Sequence, residues 1–460
     1  MEPGRDQITP GSPRGAPGSN PERGELRATL ARSQTVKAAG LAIASMAANV
    51  VQAVFVATFA HVLGAASYGS LARLVTAVII LAVPGVALQA ATAREVALGR
   101  LGNGTEQSAT LASWARHLGI VLIVVSVAGI ALRHQLAALV SVDEAWAAAG
   151  VLPTGVLWLM LSLERGILSG LHAYRPVGLS IVGEAVGRLG FALLLALLGL
   201  GVTGAFLGLP LTYILVSGIL ARALRRRLGA PSGRVRRSLS SLVAGARTPV
   251  AGLTLVFLLQ NIDIFLIPHL ASKKAAGAYA GAATAAKIAI WVAIGIAVYL
   301  LPEAARRAAE GRDPRPVLAR AVAIVAAVAL PALLVFTFVP DLLLRVALGP
   351  DFERAAGALA LLGAAMSLLA LVNLAVQYLL ALFQYRFVFL LAAVAALEPL
   401  FLLEAPSGLA PFAAMVLLTQ TVAAAGMLLL ALRTRRLALG PAQRGRPTAH
   451  PRARPTDGVA

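Results

Sequence analysis

Three charged side chains stand inside long apolar runs with no opposite charge in helical reach. Asp263 sits in "FLLQNIDIFLIPHL" (257–270), Lys287 in "AATAAKIAIWVA" (282–293) and Arg73 in "YGSLARLVTAV" (68–78). A charge at the centre of a membrane-spanning helix costs about 2.5–3.5 kcal/mol on insertion scales, so each must face protein or a water-filled cavity and find a partner from elsewhere. An isolated carboxylate such as Asp263 suits the uptake and release of a proton or a cation, or the gating of a pathway. Its structural alternative is to lock its own helix to Lys287 on the next one. Lys287 and Arg73 are cations that suit an anionic group, above all a phosphate or diphosphate; Arg73, one turn into its span, could instead snorkel to the interface. Glu184 is a second acid that suits ion coupling or gating; its structural alternative is Arg188, four residues on and on the same helical face, where the two can neutralise each other. Gln52, Asn261, Asn373 and Gln377 are further polar candidates for a cavity lining, and Glu398 is another acid within a span.

Much other chemistry is excluded. The chain has no cysteine, hence no disulfide, thiolate ligand or cysteine nucleophile. It has no Walker A sequence and so no nucleotide-hydrolysis site of that kind, and no HExxH or DxD motif to hold a metal. The six histidines are scattered singly. "GLGVTG" (199–204) fits the dinucleotide-binding glycine pattern, but lies in a hairpin between apolar runs with no βαβ unit around it. No catalytic residue, metal site or cofactor is expected, and the chain is read as a non-enzyme.

The elements that position these residues follow from composition. In 460 residues, 58% are hydrophobic and 13% charged, and the mean hydropathy is +0.81. These values define an integral membrane protein. Apolar stretches of about 20 residues, each able to cross a core of roughly 30 Å, recur at 37–60, 69–91, 112–132, 147–170, 177–198, 202–221, 248–269, 279–301, 319–340, 356–382, 387–404 and 408–432. The fold class is therefore all-α, with about 12 transmembrane helices. The tenth stretch is long enough to hide a break near Asn373 or Gln377. Of the 40 basic residues, only Arg133, Lys273, Lys274, Arg345 and Arg354 fall in the loops of one side, so the other side, with both termini, is the cytoplasmic one. The net charge of +20 is accounted for by this asymmetry and by contact with anionic lipids; nucleic acid is not an expected partner.

The organisation is bipartite. Residues 1–34 and 433–460 read as disordered basic tails rich in Pro, Gly and Arg. Residues 35–221 and 248–432 each hold six spans, separated by an arginine-rich cytoplasmic loop at 222–247. An even number per half implies parallel repeats. "GLHAYRPV" (170–177) and "ALFQYRFV" (381–388) share the tyrosine-arginine pair at an offset of 211, and at that offset Tyr68 meets Tyr279 and Gln52 meets Asp263.

At this point the residues resemble a known family. "FVATFAHVLGAASYGSLARLVTAVIILAVPGVALQAATARE" (55–95) and "FLLQNIDIFLIPHLASKKAAGAYAGAATAAKIAIWVAIGIAVYLLPEAAR" (257–306) resemble the paired opening segments of bacterial polysaccharide or O-antigen flippases, of the multidrug/oligosaccharidyl-lipid/polysaccharide exporter superfamily. The resemblance covers residues 35–435. It implies two parallel six-helix lobes around a central cavity that opens alternately to either side of the bacterial cytoplasmic membrane. It also implies movement of undecaprenyl-diphosphate-linked oligosaccharide for cell-surface polysaccharide, with a polysaccharide polymerase and glycosyltransferases as candidate partners. The diphosphate would be met by Lys287 and Arg73, then Arg188, and Asp263 matches the family aspartate of the seventh span. The long tails depart from the family pattern, as does the low aromatic content of 5%. The rival readings are an ion-coupled multidrug/cation antiporter of the same fold, a membrane-embedded polymerase or glycosyltransferase, and a scaffold without transport.

Overall fold

The computed structural model describes residues 21–433, which form helices and short connections with no β-strand among the described residues. The first helix, α1 (Pro21–Ala97), is interrupted at Gly64, whose φ of 68° is open to glycine at little cost. Its apolar part, Ile43–Ala97, is 55 residues long. At 1.5 Å per residue a straight helix of that length would run about 82 Å, nearly three times a membrane core, so this part holds two crossings. The tail expected to be disordered as far as residue 34 is already helical from Pro21. Proline at the first helical position and the Glu, Leu, Arg and Ala that follow favour helix once a long neighbour is there to extend.

Next come α2 (Gly104–Ala131), the short α3 (Arg133–Leu139) and α4 (Ala145–Ala149), and then α5 (Val151–Gly170), α6 (Tyr174–Leu195) and α7 (Gly201–Leu228). A capping box starts α2: Asn103 Oδ1 accepts from the Glu106 backbone amide, and the Glu106 carboxylate accepts from that of Asn103. Between α6 and α7 a π-helical turn (Ala196–Leu200) and the positive φ of Gly199 and Gly201 let the chain reverse. The "GLGVTG" pattern is thus a hairpin.

The connection to the second half is shorter than the expected 222–247, because α7 runs on to Leu228 and α8 (Leu239–Leu259) starts just after Ser238, whose hydroxyl caps it. The remaining residues fold back on the first half. Arg236 pairs with Glu106 at 2.7 Å, Arg237 pairs with Glu95, and the indole of Trp114 donates to the Arg237 carbonyl.

The second half comprises α8, α9 (Ile262–Leu266), α10 (Lys273–Ala286), α11 (Ile288–Ala309), α12 (Arg315–Phe338), α13 (Pro340–Leu348), α14 (Ala356–Ala381), α15 (Phe387–Leu403) and α16 (Leu409–Arg433). The expected single spans at 248–269 and 279–301 are both interrupted, the first at Gln260 and Asn261 and the second at Lys287. The tenth span, long enough to have hidden a break, is the unbroken helix α14. Asn373 and Gln377 sit within it without leaving the hydrogen-bonded ladder. Counting α1 as two and joining each interrupted pair gives about twelve crossings, as expected from hydropathy.

Core packing is dominated by α1 against α5 and α6, by α6 against α7, and by α14 against α11, α12 and α16. The halves meet chiefly where α1 packs on α10 and α8.

Candidate functional site

Between α1 and the interrupted spans of the second half lies a cavity of about 250 Å³. The first half lines it with Gln52, Phe55, Tyr68, Thr76 and Arg188, among others, and the second with Phe257, Gln260, Asn261, Thr284, Lys287 and Trp291. Among the described residues that line it there is no Asp or Glu, and the formal charges are the Arg188 guanidinium and the Lys287 ammonium, one from each half.

Each interruption supplies one of the polar groups. At Asn261 the backbone leaves helical values (φ −138°, ψ −7°), which frees carbonyls of α8. Two side-chain amides take them up: Asn261 Nδ2 donates to Phe257 O at 2.7 Å, and Gln420 Nε2 from α16 donates to Leu259 O at 3.1 Å. Irregular backbone inside a membrane persists only where such partners or a cavity compensate it. Lys287 stands at the junction of α10 and α11, and its Nζ donates to Asn261 Oδ1 at 2.8 Å. The two breaks are thereby bonded to each other.

Two residues beyond Asn261, Asp263 is 1% exposed. Its Oδ2 accepts from the Tyr279 hydroxyl at 2.7 Å and its Oδ1 from the Ile264 amide at 2.9 Å. Lys287 acts on it electrostatically without a direct ion pair. Behind it, Glu398 is fully buried, with Oε1 accepting from Thr419 Oγ1 at 2.9 Å and from Gln420 Nε2 at 3.1 Å. Glu398 Oε2 has no hydrogen-bond partner.

The other expected residues are distributed as follows. Arg188 stacks over the Phe55 ring at 4.3 Å, and its Nε is buried without a hydrogen-bond partner. It does not bond with Glu184, which bridges instead to Arg165 on α5 at 2.8 Å. Arg165 also donates to Ser180, and its neighbour Glu164 accepts from Ser217, so these two form a buried network among α5, α6 and α7. Gln52 and Asn261 line the cavity; Asn373 and Gln377 do not. Arg73 is buried but is not among the lining residues, and its one side-chain hydrogen bond is a long one to Ser70 at 3.4 Å.

Arg73 lies instead by a close contact between the halves, at the end remote from the arginine-rich loop. A Cβ on Gly277 would lie 1.7 Å from the Ala65 carbonyl oxygen, and one on Gly69 2.8 Å from the Gly277 Cα and 3.4 Å from an Arg73 nitrogen. Tyr68 meets Phe352 edge-on beside it, at 5.5 Å between ring centres, and Lys273 reaches Asp143 at 2.5 Å.

Sequence reasoning missed Gln260, Tyr68, Thr284 and Trp291 as lining residues, and Thr419 and Gln420 as partners of Glu398. The "TQT" triplet at 419–421 inside an apolar run was the available signal for the last two.

A family model described as "Polysaccharide biosynthesis protein" matches residues 173–357. The inward-facing structure of a multidrug resistance MATE family transporter of the MOP superfamily superposes with a TM-score of 0.68 at 15% identity, over 84% of this chain and 94% of that one. The lipid II flippase MurJ, in an inward closed conformation, gives 0.68 at 10% identity, over 85% and 87%. A MOP superfamily transporter from Pyrococcus furiosus, distinguished by the reverse polarity of its binding pocket, gives 0.62 at 17% identity, over 86% and 94%. No curated protein matches in sequence. The structural likenesses are of fold. Together with the family match they agree with the resemblance read from residues 55–95 and 257–306: this is a multi-pass membrane protein with the fold of the multidrug/oligosaccharidyl-lipid/polysaccharide exporter superfamily.

Proposed function

We propose that the chain is a flippase that carries a lipid-linked oligosaccharide, joined through a diphosphate, across the bacterial cytoplasmic membrane by alternating access. One observation carries this reading: among its described lining residues the cavity between the halves presents Arg188 and Lys287 and no carboxylate. Cations in a poorly hydrated site interact strongly with a diphosphate and repel a cationic drug, so the same feature argues against the multidrug antiporter. The polysaccharide-biosynthesis family match supports an oligosaccharide as the cargo. A cavity of about 250 Å³ suits the diphosphate and the sugar next to it better than a long glycan, which would extend from its mouth.

In this reading residues 35–221 and 248–432 act as two lobes, and the tight approach of Gly69 and Gly277 closes the outer side. Arg73 then belongs to that closure rather than to the diphosphate site. The arginines of the inter-lobe loop that are not paired with Glu95 or Glu106 face anionic lipid at the cytoplasmic surface. A polymerase and glycosyltransferases would act on the same cargo before and after transfer. The deciding experiment is mass spectrometry of lipids from cells lacking the protein, with an outside-acting glycan-cleaving reagent to report the leaflet. Build-up of diphosphate-linked glycan protected from the reagent is the expected result; an unchanged lipid profile in cells with no second flippase would reject the reading.

A further inference from the structure

The cavity shares its lysine with a buried pair of acids that do not line it. Lys287 reaches the cavity on one side, while on the other its Nζ is bonded to Asn261, two residues from Asp263. Glu398 comes from α15, which packs on α9, the short helix that carries Asp263. One ammonium therefore stands against two carboxyl groups that are 1% and 0% exposed. The groups facing Asp263 are few: Tyr279 from α10, Lys287 from the α10–α11 junction and Glu398 from α15, with the uncharged Thr419 and Gln420 behind Glu398. His269, at the end of the turn that follows α9, is exposed. Across the cavity the titratable groups are Arg188 and Tyr68.

We propose that Lys287 is shared between the anionic cargo and the Asp263–Glu398 pair, so that binding of a diphosphate at Lys287 draws one proton onto that pair. The reason is charge balance. Buried carboxylates are tolerated only while an opposite charge or enough hydrogen bonds compensate them. A diphosphate that takes the field of the Lys287 ammonium leaves the acids uncompensated, and a proton taken from water restores the balance. A place for it exists: Glu398 Oε2 is buried and has no partner, although Oε1 of the same carboxyl accepts two hydrogen bonds. The coupling also has a mechanical path. Gln420, which donates to Glu398, donates as well to the Leu259 carbonyl at the break in the seventh span. The other side of that break is Asn261, which holds Lys287. Anion and proton therefore act on one discontinuity from its two ends.

The sign follows from linkage: if binding takes up a proton, affinity rises as pH falls, by up to about tenfold per pH unit where one proton is taken up. The inference rests on the diphosphate reading of the cavity, and the test separates the two. Titration calorimetry on the purified full-length chain in detergent would use farnesyl-diphosphoryl-N-acetylglucosamine, a diphosphate diester with no ionisation of its own near neutrality. Runs in buffers of different ionisation enthalpy count the protons. The expected result is uptake approaching one proton per bound probe between about pH 6 and 8, independent of sodium. Asp263→Asn with Glu398→Gln should keep binding and abolish the uptake, and Lys287→Gln should weaken binding at least tenfold, with Lys287→Arg restoring most of it. Binding by the unmodified protein with no proton uptake, or with uptake of sodium in its place, would overturn the linkage and leave the diphosphate site standing. Failure of the probe to bind at all would overturn both.

Discussion

Lys287 and Arg188 come from opposite halves of the chain, and removing either charge should act on binding more than on folding. A hydrogen bond to a charged group contributes about 1.5–3 kcal/mol. Arg188→Gln is therefore expected to weaken binding of a diphosphate-linked lipid by roughly ten- to a hundredfold, as measured by calorimetry on folded protein. Arg73→Gln makes the contrasting case: it should change that affinity less than about twofold, because Arg73 does not line the cavity. An equal loss in both variants would show that the cavity is not where the anion binds. The sequence displayed these charges plainly, since each costs so much in an apolar run. Their partners were not legible, because a helical period sees only its own helix. Glu184 and Arg188 satisfy the four-residue spacing, yet Arg165, 19 positions away on the neighbouring helix, takes the carboxylate. Arg188 is left to the Phe55 ring. Gln420 shows the same limit over 161 positions, from its amide to the Leu259 carbonyl.

Among the elements, the spans were legible and the breaks were not. Hydropathy averages over a window, so the two polar residues at 260 and 261 vanish into the apolar run that holds them. What permits a break is the supply of partners for freed backbone groups, and here one of those partners comes from α16. Asn373 and Gln377 look similar in sequence but sit in a helix whose ladder is complete, so α14 runs straight through them. Gln420→Leu should consequently lower thermal stability while leaving α16 itself helical, since a buried carbonyl stripped of its donor costs about 1–3 kcal/mol. A melting temperature unchanged from that of the unmodified protein would mean that the break does not need this amide. At the start of α2, Asn103→Ala removes one half of the capping box and is expected to cost about 1 kcal/mol, read as a modest drop in melting temperature. A larger loss would place the Glu106–Arg236 pair, which shares that cap, in the same cooperative unit.

At the scale of the whole molecule, the contacts that join the halves at the end remote from the arginine-rich loop differ in strength. The Lys273–Asp143 pair joins the halves there, but its side chains are 71% and 76% exposed, and pairs of that kind contribute about 0–1 kcal/mol. The glycine contact is of another kind. Close approach of two helix backbones needs residues without side chains, and Gly277 has no room for even a methyl group beside Ala65 O. "ASYG" and "AAGAYA" were conspicuous in the sequence as paired turns, but only the fold brings Gly69 and Gly277 together. A side chain at 277 should therefore hold this end apart, whereas Lys273→Ala should barely change it. The chain has no cysteine, so a single one introduced at Thr76, on the cavity wall, reports access without background. In the unmodified background a membrane-impermeant thiol reagent applied from the Lys273 side should react with it slowly. With Gly277→Val the rate should rise tenfold or more, and with Lys273→Ala it should stay within about twofold. If Gly277→Val folds and Thr76→Cys remains protected, the glycine contact is not the seal, and closure must lie with the Tyr68–Phe352 pair and the loops above it.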